Sequence, residues 1–269
     1  MKTSVSISVF SAPQGMPALY SGVTPDHLSE IRCLGYEGVD LFVRDPHGAD
    51  TKAAIHLLET YGLQIGVIMP AALAGEGLFM TSPDPDIRQE ALRRIGEIID
   101  LASSTGGMVS LGLVRGNREA TESMDRFYHR FARSCCTLLE KAQPAGVNLV
   151  IEPINRYEIN TLNSAAEALA FLKMYKLPLY LMLDTFHMNI EDVGMEQMLV
   201  QSLPYLKHVH FLDSNRLAPT MGHLDMERLY QSLEQAGYDG FLCLEALPKP
   251  DARTCATAGA QFFRRMKQK

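Results

Sequence analysis

The chain has 269 residues, is 46% hydrophobic and 21% charged, and carries a net charge of −6. That balance supports a sizeable core, excludes a disordered chain and offers no bulk attraction for nucleic acid. Cysteine use argues against a disulfide scaffold: Cys33, Cys135, Cys136, Cys243 and Cys255 are odd in number and contain no C-x-x-C pair. Several sit in apolar runs, as small buried hydrophobes of a reduced compartment do. The N-terminal MKTSVSISVF has neither the apolar region nor the cleavage site of a signal peptide. No apolar run approaches the roughly 20 residues of a membrane helix. A soluble, cytoplasmic protein with no membrane partner is expected.

In chain order, short β-rich runs at 5–10, 38–43, 64–69, 108–114, 148–152, 179–183, 208–212 and 241–246 alternate with longer amphipathic stretches. The first run leads into a polar stretch at 11–25 that reads as a long loop over one end of the fold. Gly35 and Gly62 close the first two helical stretches. The third has the clearest period. Over 86–101, Ile87, Ala91, Leu92, Ile95, Ile98 and Ile99 share one side, and Arg88, Glu90, Arg93, Arg94 and Glu97 the other. Ser82-Pro83 precedes it as a cap and Gly106-Gly107 ends it; Gly146 and Gly237 close later stretches. Strict β–α alternation requires parallel strands with right-handed crossovers. Eight such units in about 250 residues give a (β/α)8 TIM barrel. The fold class is therefore α/β with a single domain over 1–269, and a doubly wound sheet is the alternative.

Active sites of such barrels lie at the carboxyl ends of the strands. NLVIEP ends at Glu152, LYLMLD at Asp184 and FLCLEA at Glu245, while KHVHFLD carries His208, His210 and Asp213. Side chains alternate along a strand, so an inward Glu152 takes Val150 with it, Asp184 takes Met182, and Glu245 takes Cys243. Each carboxylate alone is more often a strand-end cap or a surface charge. Three of them with an imidazole, at equivalent positions on consecutive strands, repel one another unless a cation joins them. His210 is the better ligand because it lies nearer the carboxyl end; His208 reads as an interior histidine and Asp213 as a loop residue. Three oxygens and one nitrogen, with no thiolate, suit one divalent ion, Mn2+ before Mg2+, Co2+ or Zn2+. The loops that follow bring Glu158, His187 and Arg216 to the same rim. Arg44 and Arg115 follow the second and fourth runs, and one of them is expected to bind an acidic group such as a sugar carboxylate or phosphate. A surface role, or a pair between Arg44 and Asp45, is the alternative.

The blocks IEPINRYEINTLN, MLDTFHMNIE, HVHFLDSNR followed by GHLD, and YDGFLCLE resemble the signature blocks of the xylose-isomerase-like sugar isomerase/epimerase superfamily. The resemblance is greatest to its D-tagatose 3-epimerase group. GYEGVDLFVRDP and MVSLGLVRG look closer to the 5-keto-L-gluconate epimerase branch. The resemblance implies that Glu152, Asp184, His210 and Glu245 are metal ligands. It implies that Glu152 and Glu245 are also the acid/base pair, and that Glu158, His187 and Arg216 contact the carbonyl end of the substrate. The chain has no tryptophan, so aromatic walls of some relatives are absent or replaced by Phe or Tyr.

The implied activity is metal-dependent 3-epimerisation of a ketose or keto sugar acid. Two glutamates would deprotonate and reprotonate C3 through a metal-stabilised cis-enediolate. An aldose–ketose isomerase on the same site is the alternative. An endonuclease IV-like phosphodiesterase is a remote one, since neither a larger zinc-binding cluster nor a basic surface is evident. A small-molecule sugar partner and a homo-oligomer, dimer or tetramer, are expected.

Overall fold

In the computed structural model, which describes residues 1–268, the apolar runs pair side by side in chain order. The strands are β1 (Lys2–Ser8), β2 (Tyr20–Ser21), β3 (Gly38–Phe42), β4 (Gln64–Met69), β5 (Met108–Ser110), β6 (Leu149–Ile151), β7 (Tyr180–Asp184), β8 (Leu206–His210) and β9 (Phe241–Leu244). All pairs are parallel, and β1 pairs with β9 as well as with β3, which closes an eight-stranded barrel. The fold is the expected TIM barrel. β2 is the extra strand, hidden in the stretch read as loop. β9 accompanies β1 only as far as Val5, and β2 takes over the free edge at Ile7 and Ser8. It thus extends the barrel wall just where the chain after Leu244 turns away.

Around the barrel run α1 (Pro25–Leu34), α2 (Ala49–Thr60), α3 (Ala71–Gly75), α4 (Pro85–Thr105), α5 (Met124–Ala142), α6 (Ala165–Tyr175), α7 (Thr185–Glu191), α8 (Met195–Ser202), α9 (Met226–Gln235) and α10 (Ala252–Lys267). Helix α4 buries Ala91, Ile95, Ile98, Ile99 and Ala102 against the sheet, while Ile87 stays at the surface. Its cap lies two residues beyond the expected one. Asp84 accepts from the Asp86 and Ile87 amides and Pro85 starts the helix, whereas the Ser82 hydroxyl accepts from the Asp84 amide. The run at 108–114 also differs. Only its first three residues pair as a strand, and Leu113–Arg115 winds into a 3₁₀ turn. Three of the cysteines are buried, but Cys33 and Cys136 are exposed, and none is paired. No helix among the described residues is long and apolar enough to cross a membrane.

The main apolar core lies between strands and helices, and a second, smaller one fills the barrel interior with Ala18, Phe42, Val67, Met69, Val150 and Met182. Val150 and Met182 point inward as strand alternation requires of the residues two before Glu152 and Asp184. The interior is not wholly apolar. Asp40 on β3 and His208 on β8 are fully buried within it. They fit because β4 presents Gly66 opposite them. A Cβ there would lie 2.5 Å from Asp40 Oδ1 and 3.0 Å from His208 Cε1. Gly66→Ala should therefore destabilise the protein by about 1–3 kcal/mol, an overpacking effect. Urea unfolding measures it, and an unchanged midpoint would mean that this pair has slack.

Candidate functional site

Four side chains converge where β6, β7, β8 and β9 end. Glu152 follows β6, Asp184 ends β7, His210 ends β8 and Glu245 follows β9. His210 Nδ1 lies 3.3 Å from Glu152 Oε1, 3.5 Å from Glu245 Oε2 and 3.9 Å from Asp184 Oδ2. One donor atom from each of the four lies within 4.8 Å of all the others, and all four residues are buried. Asp184 is also a cap, as the plainer reading had it. Its Oδ1 accepts from the Phe186 and His187 amides at the start of α7. Its Oδ2 is buried without a hydrogen bond, and so is His210 Nδ1, although carboxylate oxygens surround that nitrogen at 3.3–3.9 Å. Two buried polar atoms 3.9 Å apart, neither hydrogen-bonded, suit a ligand that accepts electron pairs from both.

The charges say the same. Burial pushes the Asp184 carboxyl up to about 6 and that of Glu245 up to about 8. Burial opposes charge on His210, yet Glu245, Asp40 and Glu152 hold its imidazolium well above the ordinary range. The group therefore keeps protons that a divalent cation would displace, and its hard oxygen donors with one imidazole suit such an ion.

Beneath this group lies a residue that the sequence reading did not single out. Asp40 Oδ2 lies 3.2 Å from His210 Nε2 and 2.5 Å from His208 Nε2. Burial would raise the Asp40 carboxyl, but the two imidazoles hold it well below the usual carboxylate range. Asp40 thus claims one nitrogen of His210 and leaves Nδ1 for the site above, the arrangement by which a carboxylate orients a metal-binding histidine. Alternation could have found it, since Asp40 shares a face with Phe42, which lines the cavity. Asp40, His208, His210 and Cys243 also lie close enough to hold an ion. None of the four lines the cavity, and burial followed by Asp40 keeps the Cys243 thiol protonated, well above its ordinary value.

Above the four lies a cavity of about 560 Å³, lined by Glu152, Glu158, His187, Arg216, Glu245 and Arg44 among others. Arg216 donates to Glu158 Oε1 at 3.1 Å and to Glu245 Oε2 at 3.2 Å, and lies over the Phe186 ring. Its backbone has a φ of 60°, an uncommon conformation for a residue other than glycine. Asp213 supports it. This buried carboxylate accepts from the amides of Ser214, Thr220 and Leu224, folding the loop that presents Arg216. His187 is almost fully buried, and burial, followed by Arg216 and His210, holds it neutral, well below its ordinary pKa.

The two other arginines part company. Arg44 stays on the rim, over the Phe10 ring, and pairs with Glu76 at 3.6 Å rather than with Asp45. Arg115 does not reach the cavity. It is fully buried, and its guanidinium donates to the carbonyl oxygens of Glu152 (3.1 Å), Thr161 (3.0 Å) and Leu111 (3.4 Å). Burial lowers its pKa to about 10. The expectation that Arg115 binds substrate gives way here, because the 3₁₀ turn after β5 carries the side chain inward, behind Glu152.

Residues 28–266 match the family model described as the xylose isomerase-like TIM barrel. The chain is 29% identical over 216 residues to an L-ribulose 3-epimerase of Methylomonas sp. (strain DH-1), covering 79% of this chain and 74% of that protein. It is 29% identical over 227 residues to the 3-dehydro-D-guloside 4-epimerase of Escherichia coli (strain K12), covering 80% and 84%. A solved L-ribulose 3-epimerase superposes over 100% of this chain and 95% of its own with a TM-score of 0.82, at 24% sequence identity.

The proton balance predicts how the site meets a cation. Asp184 and Glu245 hold protons up to about pH 6 and about pH 8, and binding must release them. Mn2+ affinity should therefore rise from pH 6 to pH 8. Calorimetry in buffers of different protonation enthalpy should show proton release that shrinks over the same range. A pH-independent affinity would contradict the assignment.

Proposed function

The chain belongs to the xylose isomerase-like TIM-barrel family, and from that premise we propose that it is a metal-dependent epimerase inverting C3 of a ketose or keto sugar acid. One observation carries the reading. Of the four converging residues only Glu152 and Glu245 line the cavity; Asp184 and His210 lie beneath them. Two carboxylates from strands separated by β7 and β8 thus line the substrate space, and inversion of a carbon centre needs such a pair. The relatives support it chemically. A ketose 3-epimerase and a 3-dehydro-glycoside 4-epimerase both invert a carbon next to a ketone.

Glu152, Asp184, His210 and Glu245 would hold the ion, with Mn2+ expected and Mg2+, Co2+ or Zn2+ compatible with the donors. When bound, it supplies Lewis-acid polarisation of the substrate carbonyl. One glutamate takes the C3 proton, and the electron pair of that C–H bond moves toward the C2 carbonyl to give an enediolate. The other glutamate delivers a proton to the opposite face of C3. The substrate's configuration decides which acts first. Arg216, bonded to both Glu158 and Glu245, holds the second glutamate in place. The neutral His187 faces the same space and offers an N–H to a substrate oxygen.

The far wall is largely apolar, with Phe10, Met16, Phe42 and Met69, and Arg44 stands at its outer edge. That placement favours a substrate whose distal end is anionic, such as a keto sugar acid. The five unpaired cysteines support a reducing, cytoplasmic setting.

The test is incubation of the Mn2+-loaded protein in D2O with ketohexoses, keto sugar acids and ketose phosphates, read by NMR. Deuterium should enter at C3 with the ketose retained. Label at C1 or C2 with aldose formation would point to an isomerase instead. Glu152→Gln and Glu245→Gln should each lower turnover by at least about 100-fold; full turnover in both would end the two-carboxylate mechanism.

A further inference from the structure

Asn155, in the loop after β6, is almost fully buried between two residues of the rim. Its side-chain Nδ2 donates to Glu158 Oε1 at 2.9 Å and lies 2.7 Å from His187 Nδ1. Its Oδ1 accepts from the Tyr157 amide at 3.0 Å. An asparagine amide can usually be turned over, and the bonds around it decide which way it points. Here the decision is forced. The Tyr157 N–H can only donate, so it requires the oxygen. The Glu158 carboxylate accepts, so it requires the nitrogen. The reversed amide would set N–H against N–H at one end and oxygen against oxygen at the other.

With the amide fixed, its second hydrogen points at His187 Nδ1. That nitrogen must then offer a lone pair and cannot carry a proton. We propose that Asn155 is a positioning residue that holds His187 as the neutral tautomer protonated on Nε2. His187 Nε2 lies 3.7 Å from Asp184 Oδ2, away from Asn155, and His187 lines the cavity where the reacting oxygens would sit. The arrangement makes His187 a hydrogen-bond donor to a substrate oxygen and denies it the role of a proton-accepting base. Proton transfer is left to the two glutamates. In this last respect the inference rests on the epimerase reading, whereas the tautomer does not.

Nitrogen-15 NMR of histidine-labelled protein without substrate decides the tautomer, with the His187 ring signals identified by their loss in His187→Gln. The expected wild-type spectrum has an unprotonated Nδ1 and a protonated Nε2. Asn155→Asp keeps the shape but replaces the donor with an acceptor, and should move the proton to Nδ1. On a confirmed substrate the same variant should lose about 100-fold in kcat, the scale of losing one donor to a developing oxyanion, with a smaller change in KM. A protonated Nδ1 with a bare Nε2 in the wild type, or an unchanged His187 tautomer in Asn155→Asp, would overturn the proposal. Neither spectrum depends on whether the protein is an epimerase, so failure of that wider reading would be seen separately, as absent exchange at C3.

Discussion

Three carboxylates crowd one imidazole nitrogen at the mouth of the barrel, and much of the neighbouring structure answers that crowding. In a dry interior such charges cannot stand together unless something positive joins them. Arg216 supplies part of the answer from above, bonded to Glu245. His210 supplies another part from within, held by Asp40 below. Arg115 braces the main-chain carbonyl of Glu152 from behind. These neighbours leave Asp184 Oδ2 and His210 Nδ1 without a hydrogen bond. A divalent cation is the simplest group that satisfies both and neutralises the carboxylates around it.

The barrel divides its labour by strand. β6 to β9 carry the converging side chains, the loops after β6 and β8 carry Glu158 and Arg216, and α7 carries His187. β3 and β4, with the segment after β1, contribute Phe42, Met69, Phe10 and Met16, which line the cavity without hydrogen-bonding side chains. The proposed proton transfer needs positions fixed to a fraction of an ångström, and the polar network there provides the fixing. The opposite wall needs only to be complementary in shape, which allows specificity to change while the chemistry stays.

The half of the site on β6 to β9 was easy to read in the sequence because a carboxylate ending an apolar run is a conspicuous anomaly. Glu152, Asp184, His210 and Glu245 come together as alternation required. What the sequence did not reveal were contacts between distant segments. Asp40 sits 168 residues from His208 along the chain yet shares a hydrogen bond with it. Asn155 carries no signal of its own in the sequence, because its partner His187 lies 32 residues away. Arg115 departs from the rim position expected of it for the opposite reason. It follows a strand, but the chain winds into a 3₁₀ turn and buries the side chain. β2 escaped notice because two residues carry no period at all.

The proposed divalent ion would sit among Glu152, Asp184, His210 and Glu245. Anomalous X-ray diffraction from crystals soaked in Mn2+ tests it most directly. The account predicts a single anomalous peak bonded to His210 Nδ1 and to the three carboxylates. No peak there, or a peak between Asp40, His208 and Cys243, would contradict it.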